Sequence, residues 1–227
     1  MWEEVWTEER RERKVREKCI FGVFFVPVFA RAEKFREYII KRGGNRMRQK
    51  RISDYGYRIG HHENGPRNKI TDVPGVRVGH ATVESGNQHT GVTVIVPGEG
   101  NPFLKKYLAS AYVHNGFGKT CGLVQVQELG TLETPIALTN TLNVGKVADA
   151  MISWMIQQTK KEGEDVFSIN PVVGECNDSR INEICNRVVG EKELYHALEQ
   201  ADTDFAEGDI GAGTGTICYC LLYTSPS

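Results

Sequence analysis

Three short segments combine glycine with small or amide side chains, and these residue types could bind an anion. They are HNGFGKT (114–120), LTNTLNVG (138–145) and GAGTGT (211–216). Glycine lets backbone N–H groups come close to a phosphate or a developing oxyanion. The alternative is tight turning of the chain, which we favour for Gly116 and Gly118 because glycine reaches positive φ freely. The spacing of Gly211, Gly213 and Gly215 indicates backbone packed too closely for side chains, as in a sheet crossing or a substrate channel.

The Gly-Lys-Thr at the end of HNGFGKT does not complete a nucleotide-binding loop. The pattern G-x-x-x-x-G-K-T requires glycine at the position that Val113 occupies. Nucleotide hydrolysis is therefore disfavoured. Phosphate binding by GAGTGT stays open as a third hypothesis, that of a metabolite-binding protein.

Polar side chains are dense in GECNDSRIN (174–182), which follows the apolar pair Val172 and Val173. Asn and Asp after a strand usually form turns by bonding to their own backbone. An Asn amide can also stabilise a developing oxyanion. From the residues alone we favour the turn.

Metal and redox motifs are missing from the sequence. The six cysteines show no paired spacing of the zinc or redox kind, only a Cys-x-Cys at 218–220, and the six histidines show no H-E-x-x-H arrangement. We therefore predict no metal and no cofactor. Scattered thiols favour a reducing compartment, hence a cytoplasmic protein, and we interpret Cys121, Cys176 and Cys185 as small buried apolar residues.

Short apolar runs separated by Gly and Pro predict a sheet-rich domain that also contains helices. VRVGHATV (76–83), GVTVIVP (91–97) and GLVQVQEL (122–129) are β-branched or alternating, and each predicts a strand. PIALTN (135–140) predicts a buried strand that ends in polar residues.

Two helices are predicted in the second half of the chain. The first starts at Asn143 or Gly145, has apolar residues at Val147, Met151, Trp154 and Met155, and stops at Gly163. The second covers 192–201. A strand followed by a polar loop is predicted between them.

The first 47 residues differ in composition from the rest. Residues 1–51 carry 15 Lys/Arg against 8 Asp/Glu, so the remaining residues sum to −8. Acidic residues are interleaved in this basic segment, so we predict no nucleic-acid binding. An apolar run from Cys19 to a small-residue site ending at Ala32 is too short to span a membrane but fits a signal peptide, which would imply export. The alternatives are translation upstream of a natural start at Met47 and a genuine extension.

Taken together, the motifs resemble one family. ITDVPGVRVGH (70–80), TGVTVIVP (90–97), the long run from NGFGKT to LNVG (115–145), NPVVGECND (170–178) and GAGTGT occur in this order. This order is similar to that of the DmpA-like aminopeptidases, which include β-peptidyl aminopeptidases. RISDYGYRIG (51–60) is similar to the start of many members. The resemblance covers residues 48–220, which we predict to be the peptidase domain.

The resemblance implies an α+β fold that forms part of a four-layer αββα sandwich of the N-terminal-nucleophile type. Family members cut themselves before a serine, which becomes the nucleophile of the new β chain. They release N-terminal residues from short peptides, amides and esters, and they assemble into oligomers. We therefore expect a homo-oligomer, a β chain as partner and no membrane association.

Residues 221–227 depart from the family pattern, so Ser225 and Ser227 are not credible nucleophiles. We expect the nucleophile to lie beyond Ser227 and the chain as given to be inactive. The resemblance makes Glu175 and Asn177 the first substrate-side candidates, followed by Asn140 and Asn143. The alternative is a non-catalytic binding or assembly homologue.

Overall fold

The computed structural model describes residues 50–114 and 116–216, which belong to one compact unit, Gln49–Ser227. The sequence predictions for Cys19, Ala32, Met47, Ser225 and Ser227 lie outside the described residues. So do the whole of the predicted extension 1–47 and the whole of the tail 221–227. Within the described ranges, no helix is long and apolar enough to cross a bilayer.

A four-stranded mixed sheet forms the centre of the fold. Its strands are β1 (Arg77–Ser85), β2 (Gln88–Val96), β5 (Ile136–Asn140) and β6 (Val172–Cys176), in the order β1-β2-β5-β6. β1 and β5 are antiparallel to β2, whereas β5 and β6 run parallel. The strands predicted from 76–83, 91–97 and 135–140 are confirmed. A two-stranded sheet of β3 (Tyr107–Leu108) and β4 (Thr131–Leu132) stands apart.

The strand predicted over 122–129 is wrong, because this segment is helix α1 (Leu123–Leu129). The alternation of apolar and polar residues suggested a strand, yet Val124 is 81% exposed and only Val126 is buried. Leu123 and Val126 are three residues apart, so a helix puts both against Leu132. Left-handed glycines at both ends, Gly122 and Gly130, delimit the helix.

Helix α2 (Val144–Lys161) follows Asn143 as predicted. Val147, Met151 and Met155 are completely buried, as expected for a stripe at four-residue spacing. Gly163 has φ +84° just beyond the helix and accounts for its end. Helix α3 (Glu191–Glu199) matches the second predicted helix with its start and end shifted by one to two residues.

The two faces of the sheet are covered differently. Residues paired across strands share a face, so Ala81, Val92 and Ala137 lie together against helices α2 and α3. A Cβ on Gly79 would lie 1.9 Å from the Ala197 carbonyl oxygen, so glycine allows α3 to approach β1. On the opposite face, a Cβ on Gly91 would lie 2.5 Å from the Gly211 carbonyl oxygen. The sheet is therefore covered by helices on one face and by the glycine-rich segment on part of the other.

The interpretation of the cysteines is corrected in two of three cases. Cys176 and Cys185 are exposed, and Cys121 is partly buried. Cys176 is the last residue of β6, and Cys185 lies in the short 3₁₀ helix Ile184–Asn186. The end of a strand and a single-turn helix whose residues are all unburied both leave a thiol at the surface.

Candidate functional site

The carboxyl ends of the parallel strands β5 and β6 bring together the polar segments that follow them. Thr139 pairs with Glu175, and Asn140 pairs with Cys176. Ligands of open sheets that contain parallel strands commonly bind outside these carboxyl ends. Three of the four substrate-side candidates, Asn140, Glu175 and Asn177, follow or end these two strands, and Asn143 precedes α2 at the same end.

Glu175 connects three segments that are distant in sequence. Its Oε1 accepts the backbone N–H of Lys119 at 3.2 Å, and its Oε2 accepts the hydroxyl of Thr141. Both donors are neutral, and none of the ion pairs seen within 50–114 and 116–216 involves this carboxylate. The charge of Glu175 is therefore held in place by neutral hydrogen bonds, and it can still attract a cationic group.

Asn140 is buried, and both ends of its amide are used inside the domain. Its Nδ2 donates to Thr90 Oγ1 at 2.8 Å, and its Oδ1 accepts the backbone N–H of Asn143 at 3.1 Å. The side chain thus joins β2, β5 and the start of α2. This is a structural use, and it leaves the amide little capacity for a substrate.

Asn143 occupies the position that caps α2, but its side chain makes no capping bond. The residue is completely buried, and neither Oδ1 nor Nδ2 has a hydrogen-bond partner among the residues that the structure describes. Buried polar groups without partners are rare in folded proteins. Asn143 is therefore the candidate with unused hydrogen-bonding capacity.

Asn177 is exposed and forms a local turn. Its Oδ1 accepts the backbone N–H of Ser179 at 3.1 Å and the Ser179 hydroxyl at 2.6 Å. This is the turn that the sequence favoured for 174–182. The neighbouring Asp178, which the sequence analysis did not single out, is buried, and its Oδ1 accepts Asn182 Nδ2 at 2.9 Å. In the sequence, the sign that the side chains of Asp178 and Asn182 could meet was their four-residue spacing.

The backbone N–H groups of the glycine-rich segment bind the protein itself. Gly211 donates to Thr82 Oγ1 at 2.8 Å, and Ala212 donates to Thr93 Oγ1 at 3.0 Å. A Cβ on Gly215 would lie 2.0 Å from the His89 carbonyl oxygen, and one on Gly213 would lie 2.7 Å from that of Gly208. The close packing inferred from the glycine spacing is therefore observed. With two of its N–H groups bonded to the sheet, the segment offers a poor cradle for phosphate.

His80 completes a chain of hydrogen bonds under this segment. Its Nε2 lies 3.1 Å from the Ala206 carbonyl oxygen, which can only accept, so this nitrogen carries the proton. Its Nδ1 then accepts the Thr93 hydroxyl at 2.9 Å. Burial lowers the pKa of His80, and the bond to Ala206 opposes that shift. His80 was not among the candidates from the sequence, where its signal was a histidine in the middle of a strand, between the small residues Gly79 and Ala81.

A cavity of about 410 Å³ opens beside the loop that Glu175 holds. Its described lining residues lie within 112–114 and 116–127, among them Tyr112, His114, Thr120 and Cys121 from the loop and Val124 from α1. Burial raises the pKa of the Cys121 thiol, so it stays protonated at neutral pH. The sequence favoured simple turns at Gly116 and Gly118 and a strand where α1 lies. This cavity was therefore not foreseen.

Comparison with known proteins identifies the class to which this fold and site belong. The structure matches that of the L-aminopeptidase D-Ala-esterase/amidase from Ochrobactrum anthropi, described as a variant of the Ntn hydrolase fold, with a TM-score of 0.67 and 30% identity. The match covers 75% of this chain and 50% of that one. A Burkholderia sp. beta-aminopeptidase matches with a TM-score of 0.67 and 43% identity over 74% of this chain and 48% of its own. The α+β domain with its mixed sheet thus matches about half of an Ntn-hydrolase fold of this type.

The sequence comparisons place the chain within that class. The family model of peptidase family S58 matches residues 68–221. The beta-peptidyl aminopeptidase BapA of Sphingosinicella xenopeptidilytica is 40% identical over 166 residues, which are 68% of this chain and 40% of that protein. The chain belongs to peptidase family S58, the DmpA/BapA family of serine aminopeptidases, so the resemblance drawn from the motifs is confirmed. The chain spans 40 to 50% of the length of these relatives.

Proposed function

We propose that the protein acts as a self-cleaving serine aminopeptidase that releases N-terminal residues from short peptides, amides or esters. The observation that carries this proposal is the family match over residues 68–221, together with the 40% identity to a beta-peptidyl aminopeptidase. We further propose that the whole protein forms a four-layer αββα sandwich, of which the described sheet and its helices supply two layers.

The proposed chemistry is acyl transfer to a serine. The serine Oγ attacks the carbonyl carbon of the substrate's first residue, and the serine's own α-amino group accepts the hydroxyl proton. The amine of the cleaved bond then leaves with a proton. Water then hydrolyses the acyl-enzyme and frees the serine. We place this serine beyond Ser227. Ser179, the serine beside the candidate site, donates its hydroxyl to Asn177 within a turn.

Among the candidates, we propose Glu175 as the side chain that faces the substrate and Asn143 as a buried amide that gains a hydrogen-bond partner during function. Glu175 has a negative charge held only by neutral donors, and Asn143 has a free amide. Asn140 and Asn177 bond within the domain and position the segments around them. The glycine-rich segment Gly211, Gly213 and Gly215 supports the chain that leads towards the nucleophile.

The partners and location that we propose follow the family. They are short peptide, amide or ester substrates, a β chain produced by self-cleavage and further copies of the protein. The proposed location is the cytoplasm, because the thiols are scattered, and export is the alternative if the segment from Cys19 to Ala32 is a signal peptide.

The proposal is tested with the complete gene product and with the 227-residue chain. We expect the complete product to split into two chains, the second beginning with serine, and to hydrolyse aminoacyl p-nitroanilides. Alanine in place of that serine should abolish both events. An unsplit product without hydrolytic activity would overturn the proposal, and serine-dependent turnover by the 227-residue chain would overturn the position of the nucleophile.

The role of Asn143 has its own test. Replacing a buried amide that lacks partners by an apolar group of similar size is nearly neutral or stabilising. We therefore expect Asn143→Leu to leave the urea midpoint unchanged or raised while it lowers turnover by the complete protein. Unchanged turnover would show that the amide gains no partner during function.

A further inference from the structure

The residues that cover part of the second sheet face, 203–216, form a strap that is held by side chains. Within the described residues, every backbone-to-backbone hydrogen bond of the strap stays inside it. The carbonyl oxygen of Thr203 accepts the Thr71 hydroxyl at 2.7 Å, and that of Phe205 accepts the Lys69 ammonium at 2.6 Å. Side chains of neighbouring segments therefore decide where the strap lies.

One imidazole connects the two halves of the strap. His80 Nε2 donates to the Ala206 carbonyl oxygen at 3.1 Å, and its Nδ1 accepts the Thr93 hydroxyl at 2.9 Å. The same Thr93 oxygen accepts the backbone N–H of Ala212 at 3.0 Å. All donors of this chain point the same way, an arrangement in which hydrogen bonds strengthen one another. The pair of His80 and Thr93 thus holds the strap at two points.

The strap in turn covers the bond between His80 and Thr93. A Cβ on Gly211 would lie 2.7 Å from His80 Nδ1 and 2.5 Å from Thr93 Oγ1, so the glycine backbone rests on this bond. The Phe205 ring lies beside the imidazole, with the two centroids 5.8 Å apart. Thr93 is 9% exposed. Water therefore has poor access to the Thr93 hydroxyl while the strap is in place.

The charged groups on the segments around His80 are paired with one another. Lys69 Nζ lies 3.0 Å from a carboxylate oxygen of Asp204, and Arg51 forms an ion pair with Glu207. The partners of the imidazole itself are a carbonyl oxygen and a hydroxyl. A proton added to His80 would therefore gain no carboxylate partner among the described residues.

The chain of hydrogen bonds requires the neutral imidazole. On protonation Nδ1 would carry a hydrogen, and the Thr93 hydroxyl would lose the lone pair that accepts it. Burial lowers the pKa of His80 below its ordinary value of 6.5, so the neutral form prevails at neutral pH. Acidification below that range would therefore loosen the strap.

The placement of the strap bears on the proposed self-cleavage. The chain runs from the strap towards the nucleophile that we place beyond Ser227. A misplacement of about 1 Å, caused far from the chemistry, can slow a reaction by about 100-fold. Residues that hold the strap can therefore control the rate without touching the reacting atoms.

We propose that His80 is a positioning residue for self-cleavage, because it holds through Thr93 the strap that leads towards the cleaved bond. The inference rests on the proposed function for the cleavage step itself. That step consumes one water and converts one peptide bond into a carboxylate and an amine. The imidazole takes no part in this exchange of bonds, and its contribution is the position of the chain.

The experiment follows self-cleavage of the complete gene product, refolded from urea, by the appearance of the second chain in mass spectrometry. Thr93→Val keeps the shape of the side chain and leaves His80 Nδ1 and the Ala212 N–H without their partner. We expect cleavage to slow by about ten-fold or more. Thr93→Ser, which retains the hydroxyl, should cleave at nearly the wild-type rate.

The matched control is Thr159→Val, in the last turn of helix α2. This threonine is also buried, and its hydroxyl accepts Asn101 Nδ2 at 3.0 Å. The change removes the same group at a position that does not bond to the strap, so we expect cleavage at the wild-type rate. Equal rates for Thr93→Val and Thr159→Val would overturn the inference.

The pH profile separates positioning from a merely structural role. His80→Gln retains a donor and an acceptor but does not titrate, and His62→Gln, at an exposed position, is its control. The comparison uses pH values at which urea unfolding shows all three proteins folded. We expect the wild-type rate to fall, relative to His80→Gln but not to His62→Gln, as pH drops below 6.5. Parallel profiles for the wild type and His80→Gln would overturn the inference, even if Thr93→Val does not fold.

Failure of the inference and failure of the proposed function give different results. A complete gene product that splits at no pH rejects the proposed self-cleavage, and the inference with it. A product that splits at equal rates in all variants rejects the inference alone. Faster hydrogen exchange of residues 208–216 in Thr93→Val, with an unchanged rate of splitting, would retain the bonds to the strap and reject their role in cleavage.

Discussion

Asn140 and Asn143 are three residues apart and have the same side chain, yet the fold uses them differently. Asn140 has found a partner for each end of its amide, whereas Asn143 is fully buried with none in the part of the chain that the structure describes. A buried amide without partners lowers stability. This loss of stability is offset if the amide gains a hydrogen-bond partner during function. We propose this role for Asn143.

The hydrogen bonds of Asn140 predict the cost of losing them. Asn140→Ala would leave the Thr90 hydroxyl without its Nδ2 donor, and the Asn143 N–H would keep only its bond to the backbone carbonyl oxygen of residue 140. We expect a loss of about 1–3 kcal/mol in the free energy of unfolding. Asn177→Ala, at an exposed turn, should change it by no more than about 0.5 kcal/mol. Urea unfolding measures both, and equal effects would show that the Asn140 bonds do not stabilise the fold.

His80 predicts how stability depends on pH. Burial lowers its pKa in the folded state below the usual 6.5, so the unfolded chain binds its proton first as pH falls. The stabilisation is complete above pH 6.5 and is lost as pH falls from there to the lower folded pKa. Protonation would also remove the Nδ1 lone pair that accepts the Thr93 hydroxyl.

Urea unfolding across this pH range tests the contribution of His80. We expect His80→Gln to flatten the dependence of the unfolding free energy on pH, whereas His62→Gln, at an exposed position, should not. Parallel curves for the wild type and the His80→Gln variant would contradict the assignment.

Helix α1 shows, at the scale of elements, how a regular sequence pattern can mislead. The residues of 122–129 alternate as in a strand, but the apolar contacts available are with Leu132 and Val172, to which a helix turns Leu123 and Val126 together. Glycines in the left-handed conformation fix both ends of the helix. Local alternation was therefore overruled by the position of the neighbouring elements.

Gly122 makes the start of α1 sensitive to substitution. Gly122→Ala would combine left-handed backbone strain of about 1–2 kcal/mol with a clash against Pro171 of about 1–3 kcal/mol. Gly163→Ala, at φ +84° with open space around its Cβ, isolates the strain alone. We expect Gly122→Ala to lower the unfolding free energy by the larger amount. Equal losses would mean that α1 shifts to relieve the clash.

At the scale of the whole molecule, several large apolar side chains among the described residues are strongly exposed. Leu108, Tyr112, Phe117, Val124 and Phe167 are each more than 80% exposed. Leu138 and Leu142, near the carboxyl end of β5, are also exposed. Large exposed apolar areas indicate surfaces that other chains or segments cover.

This surface predicts the behaviour of residues 48–227 in solution. We expect poor solubility and concentration-dependent association in light scattering, with a broad thermal transition. Lysine in place of both Leu108 and Val124 should reduce the association, whereas lysine in place of two exposed polar residues, Gln127 and Asn177, should not. A monomeric fragment with a sharp cooperative melt would contradict this prediction.

The sequence by itself determined the regular elements and the family. Strands β1, β2 and β5 follow from their runs of apolar residues, and helix α2 follows from apolar periodicity and from Gly163 beyond its end, because those signals are local. The order of the motifs identified the family, which the comparisons confirmed.

The tertiary structure alone decided how the candidate residues are used. Asn140 meets Thr90 across 50 residues, and Glu175 meets Lys119 across 56. Neither local spacing nor composition contains such contacts, so the sequence could not separate the satisfied Asn140 from the unsatisfied Asn143. For the same reason it could not foresee the helical α1 or the exposed Cys176, whose surroundings are set by segments that meet only after folding.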